Sequence, residues 1–148
     1  MPETLPHLQT LPPLSRYVFR GNPANLGLPE TPLRATRQGD SVALWQGPDE
    51  WLLLLQPEAA PPTPSAGVLV DVSHRQIALA LQGPDAETRL NVACPLDLSD
   101  AAFPVDMTTR TMFAKADITL WRTAPDRFHI EVARSFADYV IGILRLPV

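Results

Sequence analysis

Proline, more than any other residue, limits what this chain can fold into. There are 17 prolines, and they fall unevenly. Residues 1–32 hold Pro2, Pro6, Pro12, Pro13, Pro23, Pro29 and Pro32. Proline fixes φ and removes a backbone donor, so such a stretch is no regular helix and no central strand. It reads as an extended arm, with residues 16–20 as a short edge strand within it. An arm of this kind is ordered only by lying on another surface. The second cluster, Pro57, Pro61, Pro62 and Pro64, marks a loop between two structured stretches. The expected organisation is therefore a Pro-rich arm over 1–32 and a single α+β domain over 33–148.

Apolar period assigns the other elements. Residues 41–46 and 51–56 read as strands joined at Gly47-Pro48-Asp49, and residues 68–72 as a buried strand. Ile77, Leu79 and Leu81 alternate with Ala78 and Ala80, which predicts a strand with one bulky and one close-packed face. Gly83-Pro84-Asp85-Ala86-Glu87 opens a helix, because proline suits the first turn and carboxylates there oppose the dipole. Leu90 and Ala93 share its apolar face, and it ends near Cys94-Pro95. Residues 97–106 form a loop, followed by strands over 109–113, 118–122 and 128–132. In the last, Phe128, Ile130 and Val132 point one way, while His129 and Glu131 point the other, with His129 toward solvent. A second helix begins at Ser135, which makes an S-x-x-D capping pattern with Asp138. Phe136, Val140, Ile143 and Leu144 line its apolar stripe. Helix after strand pair in both halves predicts α+β architecture, with helices layered on antiparallel sheet. Residues 44–51 are echoed at 120–128 with one extra residue, and the tetrad beginning at Gln46 recurs from Gln82. Pro-Asp is common turn chemistry, and two similarly built halves would also produce the first echo.

Several function classes are excluded on composition. A chain of 148 residues buries roughly 68–70% of its unfolded surface, so it needs no disulfide or metal to fold. The net charge of −4 and the scattered arginines leave no electrostatic footprint for nucleic acid. No run approaches the ~18 apolar residues of a membrane span. Residues 1–14 lack the basic start and apolar core of a secretion signal, so the expected compartment is the cytoplasm. Cys94, the lone cysteine, excludes an internal disulfide and reads as a small buried apolar residue.

Candidate chemistry is thin. Asp71, Ser73 and His74 look like a triad on paper. In a strand, however, Asp71 and Ser73 share one face and His74 the other, and real triads are assembled from separate elements. Local hydrogen bonds at a strand end are the expected role. Asp97 and Asp100 read as solvated loop residues, and His7 lies in the arm. Trp45, Trp51 and Trp121 read as core or interface. Phosphate-loop, zinc-helix, paired-cysteine and paired-carboxylate motifs are absent. The sequence thus predicts no catalytic, cofactor-binding or metal-binding residue, and points to a non-catalytic subunit of a larger assembly.

The run from Val70-Asp71-Val72-Ser73-His74-Arg75-Gln76 through Leu81-Gln82-Gly83-Pro84-Asp85-Ala86 resembles a passage shared by the folate-dependent aminomethyltransferase superfamily, the glycine-cleavage T-protein and its relatives. With Leu44-Trp45, the segment from Gly47 to Leu54, Cys94-Pro95-Leu96-Asp97-Leu98, Leu120-Trp121-Arg122 and the segment from Phe128 to Tyr139, the order is most similar to the gamma-subunit family of heterotetrameric sarcosine oxidases, over about residues 33–146. That resemblance implies a fold of two ferredoxin-like halves of the aminomethyltransferase type. It implies a structural subunit that packs on the alpha subunit, in a complex with beta and delta. The complex demethylates sarcosine oxidatively to glycine and passes the one-carbon unit to tetrahydrofolate. FAD, FMN, NAD, tetrahydrofolate and zinc would sit on the other subunits, with none in this chain. In the T-protein family an acidic pair after glycines serves the folate site. Here the segment is Ala114-Lys115-Ala116-Asp117, so the glycines are absent and Asp117 reads as a leftover turn residue. The alternatives are a stand-alone folate-binding protein or small transferase, and a free-standing regulatory homodimer.

Overall fold

The computed structural model describes residues 7–148, with the side chain of Asn25 left aside. Pro2 and Pro6 of the expected arm lie outside the described residues. The chain divides into two compact units. One spans Pro13–Arg75, and the other joins the described residues up to Pro12 with Gln76–Val148. The first unit is thus inserted, in chain order, into the second.

The inserted unit is one five-stranded antiparallel sheet, here sheet B. Its strands are β2 (Ser15–Arg20), β3 (Ala35–Gln38), β4 (Ser41–Gly47), β5 (Glu50–Leu55) and β6 (Val68–Asp71), in the order β3-β4-β5-β2-β6. A 3-10 turn, Pro23–Leu26, joins β2 to β3, with Asn22 Oδ1 accepting from the Ala24 amide at 2.9 Å. Phe19, Trp51, Leu53, Leu55 and Ala43 form the core of one face. Trp51 is tied down by its indole N–H, which donates to the Pro29 carbonyl at 2.8 Å.

The other unit contains sheet A, also antiparallel. Its strands are β1 (Leu8–Thr10), β7 (Gln76–Gln82), β8 (Thr108–Phe113), β9 (Ala116–Ala124) and β10 (Arg127–Ala133), in the order β1-β7-β10-β9-β8. Two short helices, α1 (Ala86–Asn91) and α2 (Ala137–Leu144), complete it. Leu79, Leu81, Ile118, Leu120, Phe128, Ile130 and Val132 alternate along their strands onto one face. There they join Ala86 and Leu90 of α1 and Ala137, Val140 and Leu144 of α2 in one core. Burying each large side chain contributes about 1.5–3 kcal/mol. The architecture is α+β, with two antiparallel sheets and little helix.

The two sheets share a strand order, which accounts for the internal echo. In each, a strand (β2 or β7) leads into a short helical segment and then a three-strand meander whose last member pairs beside it, with one further strand (β6 or β1) on its other side. The echoed strings are the β4–β5 and β9–β10 hairpins, and both carry a register shift next to the turn.

The described prolines of the expected arm fall between strands or in the 3-10 turn, and not within a strand. Pro12 and Pro13 separate β1 from β2, and Pro23 sits in the 3-10 turn. The remaining backbone is free to pair, so β2 lies between β5 and β6 as an interior strand and not at an edge. Conversely, β6 is an edge strand with Val68 58% and Val70 45% exposed, not the buried strand its apolar run suggested. Ser135 does not cap the second helix. It lies in a 3-10 turn, Arg134–Phe136, that leads into α2.

Among the glycines of the inserted unit, Gly67 has the least room for a side chain. Its φ is +90°, and a Cβ placed there would stand 2.5 Å from the Arg20 carbonyl oxygen. Gly67→Ala is expected to destabilise the protein by about 1–3 kcal/mol, read as a lower midpoint in urea denaturation with an unchanged slope.

Candidate functional site

The most concentrated polar chemistry is built around Arg122, on the helix side of sheet A. Its position in β9, two residues from Leu120, aims it into the apolar face. The side chain is 2% exposed, and its guanidinium lies 4.9 Å from the centre of the Phe128 ring. The five N–H donors of a guanidinium need partners when buried. Nη1 donates to the carbonyls of Leu98 and Phe103, both at 2.9 Å. Nε and Nη2 donate to the Pro125 carbonyl at 3.2 and 2.6 Å. Nη2 also meets Glu87 Oε1 and Asp100 Oδ1, each at 2.9 Å. Asp100, expected to be merely solvated, is thus one arm of this ion pair, reaching in from the surface. The arrangement fastens a loop and leaves no cation donor facing outward, so it fits a structural role.

The opposite face of sheet A carries a second polar group. Ala78 and Ala80 stand opposite Glu131 and His129 in the ladder, and their small side chains leave room for them. His129 Nε2 lies 2.7 Å from Glu131 Oε2, and both residues are buried. The expectation that His129 faces solvent is therefore overturned. Alternation fixes which face a residue takes, not whether that face is covered. The His129 ring also lies against Trp121, centroids 5.4 Å apart, and the Trp121 indole donates to Asp106 at 3.2 Å. Thr108, beside Trp121 in the ladder, is buried with its hydroxyl unpaired. A carboxylate orienting an imidazole is half of a general-base device.

The triad-like string dissolves. The Ser73 hydroxyl accepts from the Arg16 amide at 2.9 Å and donates to the Arg16 carbonyl at 3.4 Å. The Ser73 amide donates to Asp71 Oδ1 at 2.9 Å. Hydrogen bonds from Ser73 hold the Asp71 carboxyl below its ordinary range. The Asp71 bond is local, as the sequence suggested, whereas the hydroxyl ties this strand end to Arg16 on β2, 57 residues away in the chain. Asp97 behaves alike, with its carboxyl lowered by the Ser99 amide. Cys94 is buried in the core beneath α1. Asp117 is an exposed strand residue of β9, opposite Met112; the turn is Ala114-Lys115, which ends two residues earlier. Trp45, Trp51 and Trp121 all lie in strands. Among the described residues, no group of three or more His, Cys, Asp or Glu is placed to hold a metal ion, and no helix is long and apolar enough to cross a membrane.

His7 belongs to a third group, at the mouth of α1. Its Nδ1 lies 3.0 Å from the Gln82 carbonyl and 3.8 Å from Asp85 Oδ1. Arg89 Nε donates to Asp85 Oδ2 at 2.8 Å, and Arg89 Nη1 reaches the carbonyls of Leu144 and Leu146. The i,i+4 pair thereby ties α1 to the end of α2.

Two measurements probe these groups. Arg122→Met leaves buried carbonyls unpaired, so it is expected to lose about 3–5 kcal/mol of unfolding free energy, whereas Glu87→Gln, removing a partly exposed partner, loses under ~1 kcal/mol. For Asp85, burial pulls the carboxyl upward, but the hydrogen bond and charge of Arg89, with the charge of His7, hold it below its ordinary 3.8. A lowered folded value favours the ionised form, so the contribution is present above pH 3.8 and fades as pH falls through the folded value. Stability curves of the parent and Asp85→Asn should therefore run apart near neutrality and converge in acid below pH 3.8.

Comparison with known proteins bears on the whole arrangement. A family model described as "Sarcosine oxidase, gamma subunit family" matches residues 65–146. A sarcosine oxidase subunit gamma of Corynebacterium sp. (strain P-1) is 31% identical over 86% of this chain and 64% of its own length. Its counterpart in Corynebacterium sp. (strain U-96) is 32% identical over 68% of this chain and 53% of its own. An Arthrobacter subunit gamma is 30% identical, with 78% and 61% covered. The chain thus spans less than two thirds of the length of these relatives. Among solved structures, a chain of the heterotetrameric sarcosine oxidase from Corynebacterium sp. U-96, in complex with pyrrole 2-carboxylate, superimposes with a TM-score of 0.81 at 26% identity, covering 93% of this chain and 80% of that one. With over half its length matched by the family model, the chain belongs to the sarcosine oxidase gamma subunit family.

Proposed function

We propose that this chain is the gamma-type structural subunit of a heterotetrameric sarcosine oxidase, and that it supplies surface and not chemistry. The observation that carries this reading is the agreement in fold, over 93% of the chain, with a chain of a heterotetrameric enzyme of that name. The complex would demethylate sarcosine oxidatively to glycine, with tetrahydrofolate receiving the one-carbon unit. This chain would pack on the alpha subunit in the cytoplasm, alongside beta and delta. FAD, FMN, NAD, tetrahydrofolate and zinc would be held by those neighbours.

The non-catalytic half of the proposal rests on how the polar side chains are used. Arg122, Ser73 and Asp97 spend hydrogen bonds on the chain's own backbone, and Asp85 accepts from the Arg89 side chain. Asp117 stands exposed on a strand, without the glycine turn that a folate site of the T-protein type would have beside it. The repeated strand order is the layout expected of two ferredoxin-like halves, and supports kinship with the aminomethyltransferase-type fold.

Affinity purification of the tagged full chain from its native host is expected to bring down larger polypeptides with flavin absorbance. Recovery without a flavin-bearing partner would overturn the proposal. Sub-millimolar binding of tetrahydrofolate to the chain alone, by calorimetry, would favour a stand-alone folate-binding protein instead.

A further inference from the structure

Sheet B bears a cleft that the subunit role leaves unexplained. It has a volume of about 230 Å³ and opens over the β3–β4 end of the sheet. Its floor follows from the register. Thr36 of β3 stands opposite Ala43 of β4, which stands opposite Leu53 of β5, so one cross-strand row runs from polar at the edge to apolar at the centre. Gln38 opposite Ser41 gives the edge a second polar pair. The small Ala43 side chain leaves the depression. The 3-10 turn walls it at Leu26, and the second proline cluster walls it at Pro62.

The lining has two properties that define an occupant. It contains no ionisable side chain. Its three polar side chains, Thr36, Gln38 and Ser41, make no side-chain hydrogen bond among the described residues. Small-molecule sites combine an apolar surface with a few convergent polar groups, and drug-sized ones measure roughly 300–1,000 Å³. This cleft is a little smaller and is polar at one end only. A charged ligand would be desolvated here with no counter-charge to meet it.

We propose that the cleft is a binding site for a small uncharged amphipathic molecule, with an aliphatic body on Ala43 and Leu53 and a hydrogen-bonding head at Thr36, Gln38 and Ser41. The assignment is independent of the subunit role. The folate cofactor, with its carboxylates, is the wrong chemistry for this lining.

Titration of the full chain with pentanamide, followed by backbone amide NMR, tests it. Saturable shifts are expected at residues 36–43, 53 and 55. Pentanoate and pentylammonium, of similar length but charged, should bind at least about tenfold more weakly, a difference of ~1.4 kcal/mol. Ser41→Ala should weaken pentanamide binding, and Ala43→Leu should abolish it with the circular dichroism spectrum kept. Absence of saturable shifts, equal binding of pentanoate, or indifference to both variants would overturn the assignment. So would failure of pentanamide to bind the assembled complex, since a partner side chain would then hold the cleft.

Discussion

One guanidinium fastens the loop over residues 97–106 to the helix side of sheet A. Residues 97–106 carry Leu98 and Phe103 into the core, and a loop cannot enter an apolar core without bringing its carbonyls. Arg122 meets two of those carbonyls, and a third at Pro125 in the β9–β10 turn. Its charge is compensated from the rim, where Glu87 and Asp100 remain partly in water. The expensive arrangement, a fully desolvated ion pair, is thereby avoided. The apolar contacts of Phe103 with Phe128, ring centres 6.2 Å apart, are possible because the backbone around them is satisfied.

The two faces of sheet A follow from alternation of side chains in the same three strands. Bulky residues, Leu79, Ile130 and Leu120, take one side and meet the helices. Small and polar residues, Ala78, Ala80, Glu131, His129 and Thr119, take the other. The second set is nevertheless buried. A buried face with a carboxylate and an imidazole on it is sensitive to the partner each finds, and the short His129–Glu131 contact provides one.

Much of this was legible beforehand, and the reasons for the exceptions are physical. Phe128, Ile130 and Val132 declared a strand because a period of two has few other causes. Gly83-Pro84-Asp85 declared a helix start because its backbone needs are local. Arg122 was invisible in its role, since most of its acceptors are main-chain carbonyls, which every residue has. The burial of His129 was equally hidden, since no pattern along one strand reports what covers its second face. The first strands were masked by counting prolines over a window without asking where each one falls. The candidate site was legible chiefly as local chemistry: Asp71 and Asp97 each accept from the amide two residues on, as short-range spacing suggests, while the Ser73 hydroxyl reaches Arg16 across the sheet, which spacing does not reveal.

The insertion of one unit into the other in chain order sets a schedule for synthesis. Of the described strands β1 is made before the others, yet its strand partner among the described residues is β7, which emerges after the whole of sheet B. Sheet B contains all its own strands and can close while the rest is being made. Sheet A must wait, with β1 unpaired, until β7 arrives, and its core is complete only when α2 follows near the end of the described chain. The late unit is also the one whose loop depends on Arg122. A slow stretch of translation after Arg75 would therefore lengthen the time that an unpaired strand edge stays open to misassembly.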